Sequence, residues 1–128
     1  MTRVLLVEDH EETWDFLSRR LKRRGYEVVV ATDGQQGVAR ARSEHPDVIL
    51  LDMNLPVMDG WTAAGEIRKN PSTAKVPIIA LTAHAMSGDR DKALAAGCGA
   101  YHAKAVDFSR LLSQIEAHIG SAPSTPTG

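Results

Sequence analysis

The sequence has little cysteine, few aromatic residues and no long apolar run. Cys98 is the only cysteine among 128 residues, so no disulfide can form within the chain. A single thiol is typical of a reducing compartment, which predicts a cytoplasmic protein. Every apolar run is shorter than the roughly 18 residues that a membrane-spanning helix needs. The composition therefore excludes a disulfide-stabilised secreted domain and predicts no membrane span.

The sequence also lacks an excess of either charge. It has 15 Lys and Arg residues against 16 Asp and Glu residues, which gives a net charge of -1. Proteins that bind nucleic acid usually carry a strongly basic face, so this balance argues against that class of partner. The hydrophobic content of 43% is ordinary for a globular protein. The length suits one domain.

Short apolar runs alternate with longer segments of helical periodicity. The runs are rich in Leu and β-branched residues, which favours strands; they cover Val4–Val7, Val28–Ala31, Val48–Leu51 and Ile78–Leu81, with a weaker run at Ala100–Ala103. The helical segments are one with Trp14, Leu17 and Leu21 on a single face that stops at Gly25, then Gly34–His45, Trp61–Asn70, Ser87–Ala96 and Asp107–Ile119.

Five successive strand–helix units are typical of a parallel sheet covered by helices on both faces. We expect a doubly wound α/β domain of the (βα)5 type over residues 1–120. Residues 121–128 contain Pro, Ser, Thr and Gly with one Ala, and we expect them to be disordered because they can bury nothing.

Acidic residues stand where predicted strands end. Glu8 and Asp9 follow the first apolar run, and Asp52 follows the third, where Asn, Ser or Gly would turn the chain equally well. Sites in open α/β sheets lie beyond the carboxyl ends of the strands. If the first and third strands are neighbours, three carboxylates converge there. They would repel each other unless a cation such as Mg²⁺, which prefers oxygen ligands, offset their charge.

Two further strand ends complete the pattern, since Thr82 ends the fourth strand and Lys104 follows the fifth. A metal ion, a lysine and a hydroxyl donor around a carboxylate nucleophile form a phosphoryl-transfer site. Each residue alone has an ordinary interpretation as a turn, a helix cap or a solvated side chain. Their combination at one sheet edge predicts that Asp52 carries chemistry.

These residues resemble the receiver domain of bacterial response regulators. The resemblance covers about Arg3 to Ile119 and rests on the segments "VLLVED", "VILLDMNLPVMDG", "PIIALTA" and "AGCGAYHAK". It implies a flavodoxin-like sandwich with strand order 2-1-3-4-5. It also implies a signalling protein that is not an enzyme, apart from its own phosphorylation and dephosphorylation.

The resemblance implies a phosphoacceptor and a magnesium site. Asp52 would take a phosphoryl group from the phosphohistidine of a histidine kinase or a histidine phosphotransfer protein. Mg²⁺ would be held by Glu8, Asp9, Asp52 and the backbone carbonyl of Asn54. Glu8 stands where many members have Asp, which keeps the charge.

The resemblance also implies a switch that serves a downstream protein target. Lys104 would pair with the phosphoryl oxygens, and Thr82 would move to hydrogen-bond them. Tyr101 would move with Thr82 and remodel the surface formed by the last two helices and the last strand. Asn54 and His84 would tune the lifetime of the phosphoryl group.

One departure from the family affects the switch. Ala105 follows Lys104 where the family usually has a proline, commonly after a cis bond. A cis bond before a residue other than proline costs about 2.5–4 kcal/mol. Whether the Lys104–Ala105 peptide is cis or trans is left open by the sequence.

Phe16 is the candidate for partner docking. It lies about 200° around a helix from Trp14 and so leaves the apolar face. The resemblance implies that this position helps to dock the kinase or phosphotransfer domain. The Arg19–Arg24 cluster is interpreted as a solvated helix end, and the five histidines have no metal-ligand spacing.

Four functions are compared. The favoured one is a single-domain response regulator, for which Met1 stands just before the first strand as a natural start would. The chain could instead be a receiver excised from a hybrid histidine kinase, or a binding module that works without phosphorylation. Dehalogenase-type phosphatases also use an Asp nucleophile with Mg²⁺, but they carry a second Asp where this chain has Asn54. The oligomeric state is left open.

Overall fold

Five strands and four helices make up the part of the chain that this computed structural model describes, which is residues 2–53, 55–82, 100–103 and 108–119. The strands are β1 (Arg3–Val7), β2 (Glu27–Ala31), β3 (Val48–Asp52), β4 (Ile78–Thr82) and β5 (Ala100–Ala103). The helices are α1 (Glu11–Arg23), α2 (Gly34–Glu44), α3 (Gly60–Lys69) and α4 (Phe108–Ile119). The predicted helix Ser87–Ala96 and the predicted tail 121–128 lie outside the described residues.

The strands form one parallel sheet in the order β2-β1-β3-β4-β5, which confirms the predicted order. The chain starts near the middle of the sheet, winds outward to β2, and then crosses back over β1 to β3. This reversal places the carboxyl ends of β1 and β3 side by side. Strand β3 is buried at all of its positions, as its unbroken apolar run predicts.

The sheet separates two hydrophobic cores. Alternate residues of a strand point to opposite faces. Leu5 and Val7 of β1 therefore belong to the core shared with α2 and α3, whereas Val4 and Leu6 belong to the core shared with α1 and α4. Helices on both faces confirm the doubly wound architecture. None of the helices in the described part of the chain is long and apolar enough to cross a membrane.

Helix α1 follows its predicted pattern. Leu17 and Leu21 are buried, and Trp14 packs against the same core. Acidic residues lie in the first turn and basic residues in the last, which complements the helix dipole. The helix is closed by Gly25, which has a φ of 91° and donates its backbone N–H to the Lys22 carbonyl oxygen at 3.0 Å.

The same glycine-to-alanine change should have opposite effects at Gly25 and Gly65. A Cβ at either position meets no atom within 4 Å, so backbone conformation decides the outcome. Gly25→Ala forces alanine into the left-handed region and should lower the free energy of unfolding by about 1–2 kcal/mol. Gly65 lies inside α3, where alanine favours the helix, so Gly65→Ala should raise the free energy of unfolding by about 0.5–1 kcal/mol. Urea unfolding of both variants tests this, and equal signs would contradict it.

Candidate functional site

The register of the sheet brings the acidic ends of β1 and β3 together. Val7 pairs with Leu51, so Glu8 and Asp52 are the next residues on neighbouring strands. The backbone N–H of Glu8 donates to the Ala31 carbonyl oxygen at 2.9 Å, which holds this end of β1 to β2. Glu8 and Asp52 are both fully buried, with an exposed fraction of 0%.

Asp9 and His10 extend this pair into a cluster of four. One possible ligand atom from each of Glu8, Asp9, His10 and Asp52 lies within 4.8 Å of all the others. The structure thus brings together the three carboxylates that the sequence predicted to meet. It adds a histidine that the sequence analysis did not select.

The imidazole of His10 contacts Glu8 and Asp9, the two successive acidic residues that we call the acid pair. Its Nδ1 lies 3.0 Å from Glu8 Oε2 and 3.3 Å from Asp9 Oδ1. The backbone N–H of His10 also donates to Glu8 Oε2, at 3.0 Å. Metal-ligand spacing along the sequence identifies ligands that share one segment. It does not identify His10, because one of the neighbouring carboxylates, Asp52, comes from another strand. The available signal was the position of His10 directly after Glu8 and Asp9.

The chemistry of this donor set suits a divalent cation. Buried carboxylates need compensating positive charge or hydrogen bonds. Among the described residues, Asp9 Oδ1 is a buried oxygen that accepts no hydrogen bond. Ligands at about 2.1 Å from a metal are separated by at most about 4.2 Å, so small side-chain rotations would close the observed cluster around an ion. The cluster can therefore hold a metal ion.

The segment after Asp52 is held tightly against the end of β3. The backbone N–H of Gly60 donates to the Met53 carbonyl oxygen at 3.0 Å. A Cβ on Gly60 would lie 2.4 Å from the Asp52 carbonyl oxygen, so only glycine fits there. Val57 in this loop is 76% exposed and has a φ of 67°, an unfavourable conformation for a β-branched residue. Gly60 thus holds the start of α3 close to the end of β3.

The structure describes the backbone positions of two of the remaining predicted site residues. Thr82 ends β4 and pairs with Ala103, and Tyr101 lies in β5 opposite Ala80. Because Asp52 pairs with Leu81, Thr82 lies one position beyond Asp52 on the neighbouring strand. Four residues lie outside the described part of the chain, and the roles expected of them stay predictions: Asn54, His84, Lys104 and Ala105.

Phe16 leaves the buried face of α1, as its position in the sequence predicts. It is 47% exposed. The guanidinium carbon of Arg20 lies 4.9 Å from the centre of the Phe16 ring and 5.4 Å from that of Phe108, which begins α4. We call these three residues the aromatic–arginine stack. Arg20 is exposed, as the interpretation of the Arg19–Arg24 cluster as a solvated helix end predicts, and it also contacts aromatic rings of two helices.

Comparisons with known protein sequences identify the family of this chain. The sequence matches the family model of the response regulator receiver domain over residues 4–116. It is 32% identical to the polar-differentiation response regulator DivK of Brucella ovis, over 93% of this chain and 97% of DivK. It is 41% identical to the hybrid signal transduction histidine kinase G of Dictyostelium discoideum over 85% of this chain, which spans only 3% of that kinase.

Solved structures give the same result. The receiver domain of a sensor histidine kinase from Pseudomonas aeruginosa has a TM-score of 0.87 and 40% identity, over 93% of this chain and 98% of that domain. That structure has a magnesium ion coordinated in its active-site cleft. The chemotaxis protein CheY4 of Vibrio cholerae has a TM-score of 0.86 and 30% identity, over 91% and 98% of the two chains. This protein belongs to the response regulator receiver domain family.

Proposed function

We propose that Asp52 accepts a phosphoryl group from a phosphohistidine donor and thereby switches a protein-binding surface. The observation that carries the proposal is the full burial of Asp52 beside Glu8 at the carboxyl edge of the sheet. A residue that merely turned the chain would be free to face water. Burial of two neighbouring carboxylates costs stability, which supports a chemical role.

The proposed transfer is a single displacement at phosphorus. A carboxylate oxygen of Asp52 forms a bond to phosphorus, and the bond from phosphorus to the donor imidazole breaks with its electron pair left on nitrogen. Mg²⁺ held by Glu8, Asp9, Asp52 and the backbone carbonyl of Asn54 would offset the negative charge of the phosphoryl oxygens. Later attack by water on phosphorus breaks the bond from phosphorus to the Asp52 oxygen, releases inorganic phosphate and restores the carboxylate. The protein thus acts as a signalling protein and not as an enzyme with a separate substrate.

The switch follows from the new charge on Asp52. A phosphoryl group adds about -1.5 to -2 charges, enough to bias a surface that has two arrangements. Lys104 would pair with its oxygens, and Thr82 would hydrogen-bond them. Tyr101 lies opposite Ala80, two residues before Thr82 on β4, and this nearness supports a coupled movement of Thr82 and Tyr101. Asn54 and His84 would set how quickly water removes the group.

Two cellular contexts are compatible with the family. The match to DivK favours a single-domain response regulator that binds a downstream protein. The matches to two histidine kinases favour a receiver that works inside a hybrid kinase. In either context the phosphohistidine donor would be met in the cytoplasm. We favour the single-domain regulator, because DivK is matched over 97% of its own length.

The donor is proposed to dock on the aromatic–arginine stack. Phe16 offers an exposed apolar ring, and Arg20 holds that ring next to the start of α4. The last turn of α1 adds Lys22 and Arg23. A helical donor domain with an apolar groove and an acidic rim would complement this surface.

Phosphorylation of Asp52 can be tested by intact mass after incubation with acetyl phosphate and Mg²⁺. The wild type should gain one phosphoryl group, and Asp52→Asn should gain none, because an amide cannot act as the nucleophile. Chelation of Mg²⁺ should also abolish the adduct. A wild type that stays unlabelled, both here and with phosphorylated histidine donors, would favour the binding module that works without phosphorylation.

The metal site can be tested by unfolding Asp9→Asn. Removal of one of three clustered negative charges should raise the free energy of unfolding in chelator by about 1 kcal/mol. The stabilisation that saturating Mg²⁺ gives the wild type should largely disappear, since binding to the folded state alone stabilises it. Asp15→Asn, which changes an exposed pair with Arg19, is the matched control and should retain the Mg²⁺ effect. Equal Mg²⁺ effects in both variants would exclude Asp9 as a ligand.

Docking can be tested with Phe16→Ala. Transfer from phosphorylated histidine donor domains should slow at least about tenfold, as expected for loss of an aromatic anchor. Labelling by acetyl phosphate, which needs no docking, should be unchanged. Gln35→Ala on exposed α2 is the control, because α2 lies on the opposite face of the sheet. Unchanged transfer from every donor that labels the wild type would rule out docking at Phe16.

A further inference from the structure

We propose that His10 is an additional ligand of the metal site and shifts its preference from Mg²⁺ towards divalent transition metals such as Mn²⁺. This inference rests on the metal site proposed above. It adds a residue that determines metal specificity to the three clustered carboxylates.

The position of the His10 ring supports coordination. Nδ1 points at the acid pair, 3.0 Å from Glu8 Oε2 and 3.3 Å from Asp9 Oδ1. A ring nitrogen of His10 also lies within 4.8 Å of a carboxylate oxygen of Asp52. The hydrogen bond from the His10 backbone N–H to Glu8 Oε2 fixes the start of the side chain beside these oxygens. One nitrogen and three carboxylates therefore surround a common space.

Helix capping does not account for His10. The residue occupies the N-cap of α1, where Ser, Thr, Asp or Asn would satisfy a free backbone N–H. The His10 side chain makes no such bond. The His10 side chain is 65% exposed and borders an open cavity of about 720 Å³, whose described lining also includes Glu11 and Thr13. A metal ion with bound water can reach the ring from this side.

The chemistry of imidazole predicts the direction of the effect. Mg²⁺ is a hard cation that favours oxygen ligands and keeps several waters, so a nearby imidazole adds little to its binding. Transition metals accept imidazole nitrogen readily. The ligand set with His10 should therefore bind Mn²⁺ more strongly than oxygen ligands alone, while Mg²⁺ binding changes much less.

A different role for His10 would be to hold the Glu8 carboxylate in place by a hydrogen bond. That role would affect Mg²⁺ and Mn²⁺ alike, because both ions use the same carboxylate. The ratio of the two affinities therefore separates coordination from positioning.

The test compares wild type, His10→Ala and His10→Asn at one fixed pH. Free Mn²⁺ is measured by its electron paramagnetic resonance signal to obtain the Mn²⁺ dissociation constant, and competition then gives the Mg²⁺ constant. Pulsed measurements on bound Mn²⁺ detect nitrogen of a coordinated imidazole directly. His118→Gln in α4 controls for binding to another histidine. Asparagine at position 10 keeps a hydrogen-bond donor and suits an N-cap, so His10→Asn should fold.

We expect the preference for Mn²⁺ over Mg²⁺ to fall about tenfold in both His10 variants and to stay unchanged in His118→Gln. The imidazole signal of bound Mn²⁺ should vanish only when His10 is replaced. An unchanged ratio, or a wild-type spectrum without imidazole nitrogen, would overturn the proposal.

Failure of this inference and failure of the proposed function give different results. If Asp52 takes one phosphoryl group but bound Mn²⁺ shows no imidazole nitrogen, the proposed function holds and the proposed role of His10 is wrong. If His10 coordinates Mn²⁺ but no donor phosphorylates the protein, the metal site holds and the proposed role of Asp52 as phosphoacceptor is wrong.

Discussion

The mutual repulsion of buried carboxylates is the constraint on which the site depends. Glu8 directly follows β1 and Asp52 ends the neighbouring strand β3, and both are removed from water. Burial strengthens electrostatic interactions and disfavours the charged form unless positive charge is near. A cluster of this kind responds strongly to any added cation or phosphoryl group. The chemistry proposed for Asp52 uses this sensitivity, because a bound cation and an attached phosphoryl group both change the local charge.

The fold supplies a rigid support for this charge cluster. Apolar residues fill both faces of the sheet, so β1 and β3 are fixed in register, and their carboxyl ends cannot separate without disrupting a core. The loop after Asp52 is then drawn against β3 at Gly60. Because the strands are held by packing, the polar residues at their ends can be selected for function. Few such residues are needed, since phosphoryl transfer depends mainly on position and charge.

Helix α1 links the chemistry to the proposed docking surface. His10 precedes its first turn and touches the acid pair, whereas Phe16 lies six residues later, about 9 Å along the axis. Arg20 then connects α1 to the beginning of α4. A donor that docks on this helix would therefore have its phosphohistidine close to Asp52.

The sequence by itself determined the alternation of strands and helices, the carboxylates at strand ends and the exposed position of Phe16. These features follow from local periodicity and from the residue that stops each run. Tertiary structure alone decided that His10 faces the acid pair and that Arg20 lies between two aromatic rings. Neither contact has a periodic signal, because each depends on how a side chain is oriented against groups brought together by sheet pairing or helix packing. Local pattern thus places residues on elements, whereas the packing of those elements selects which side chains meet.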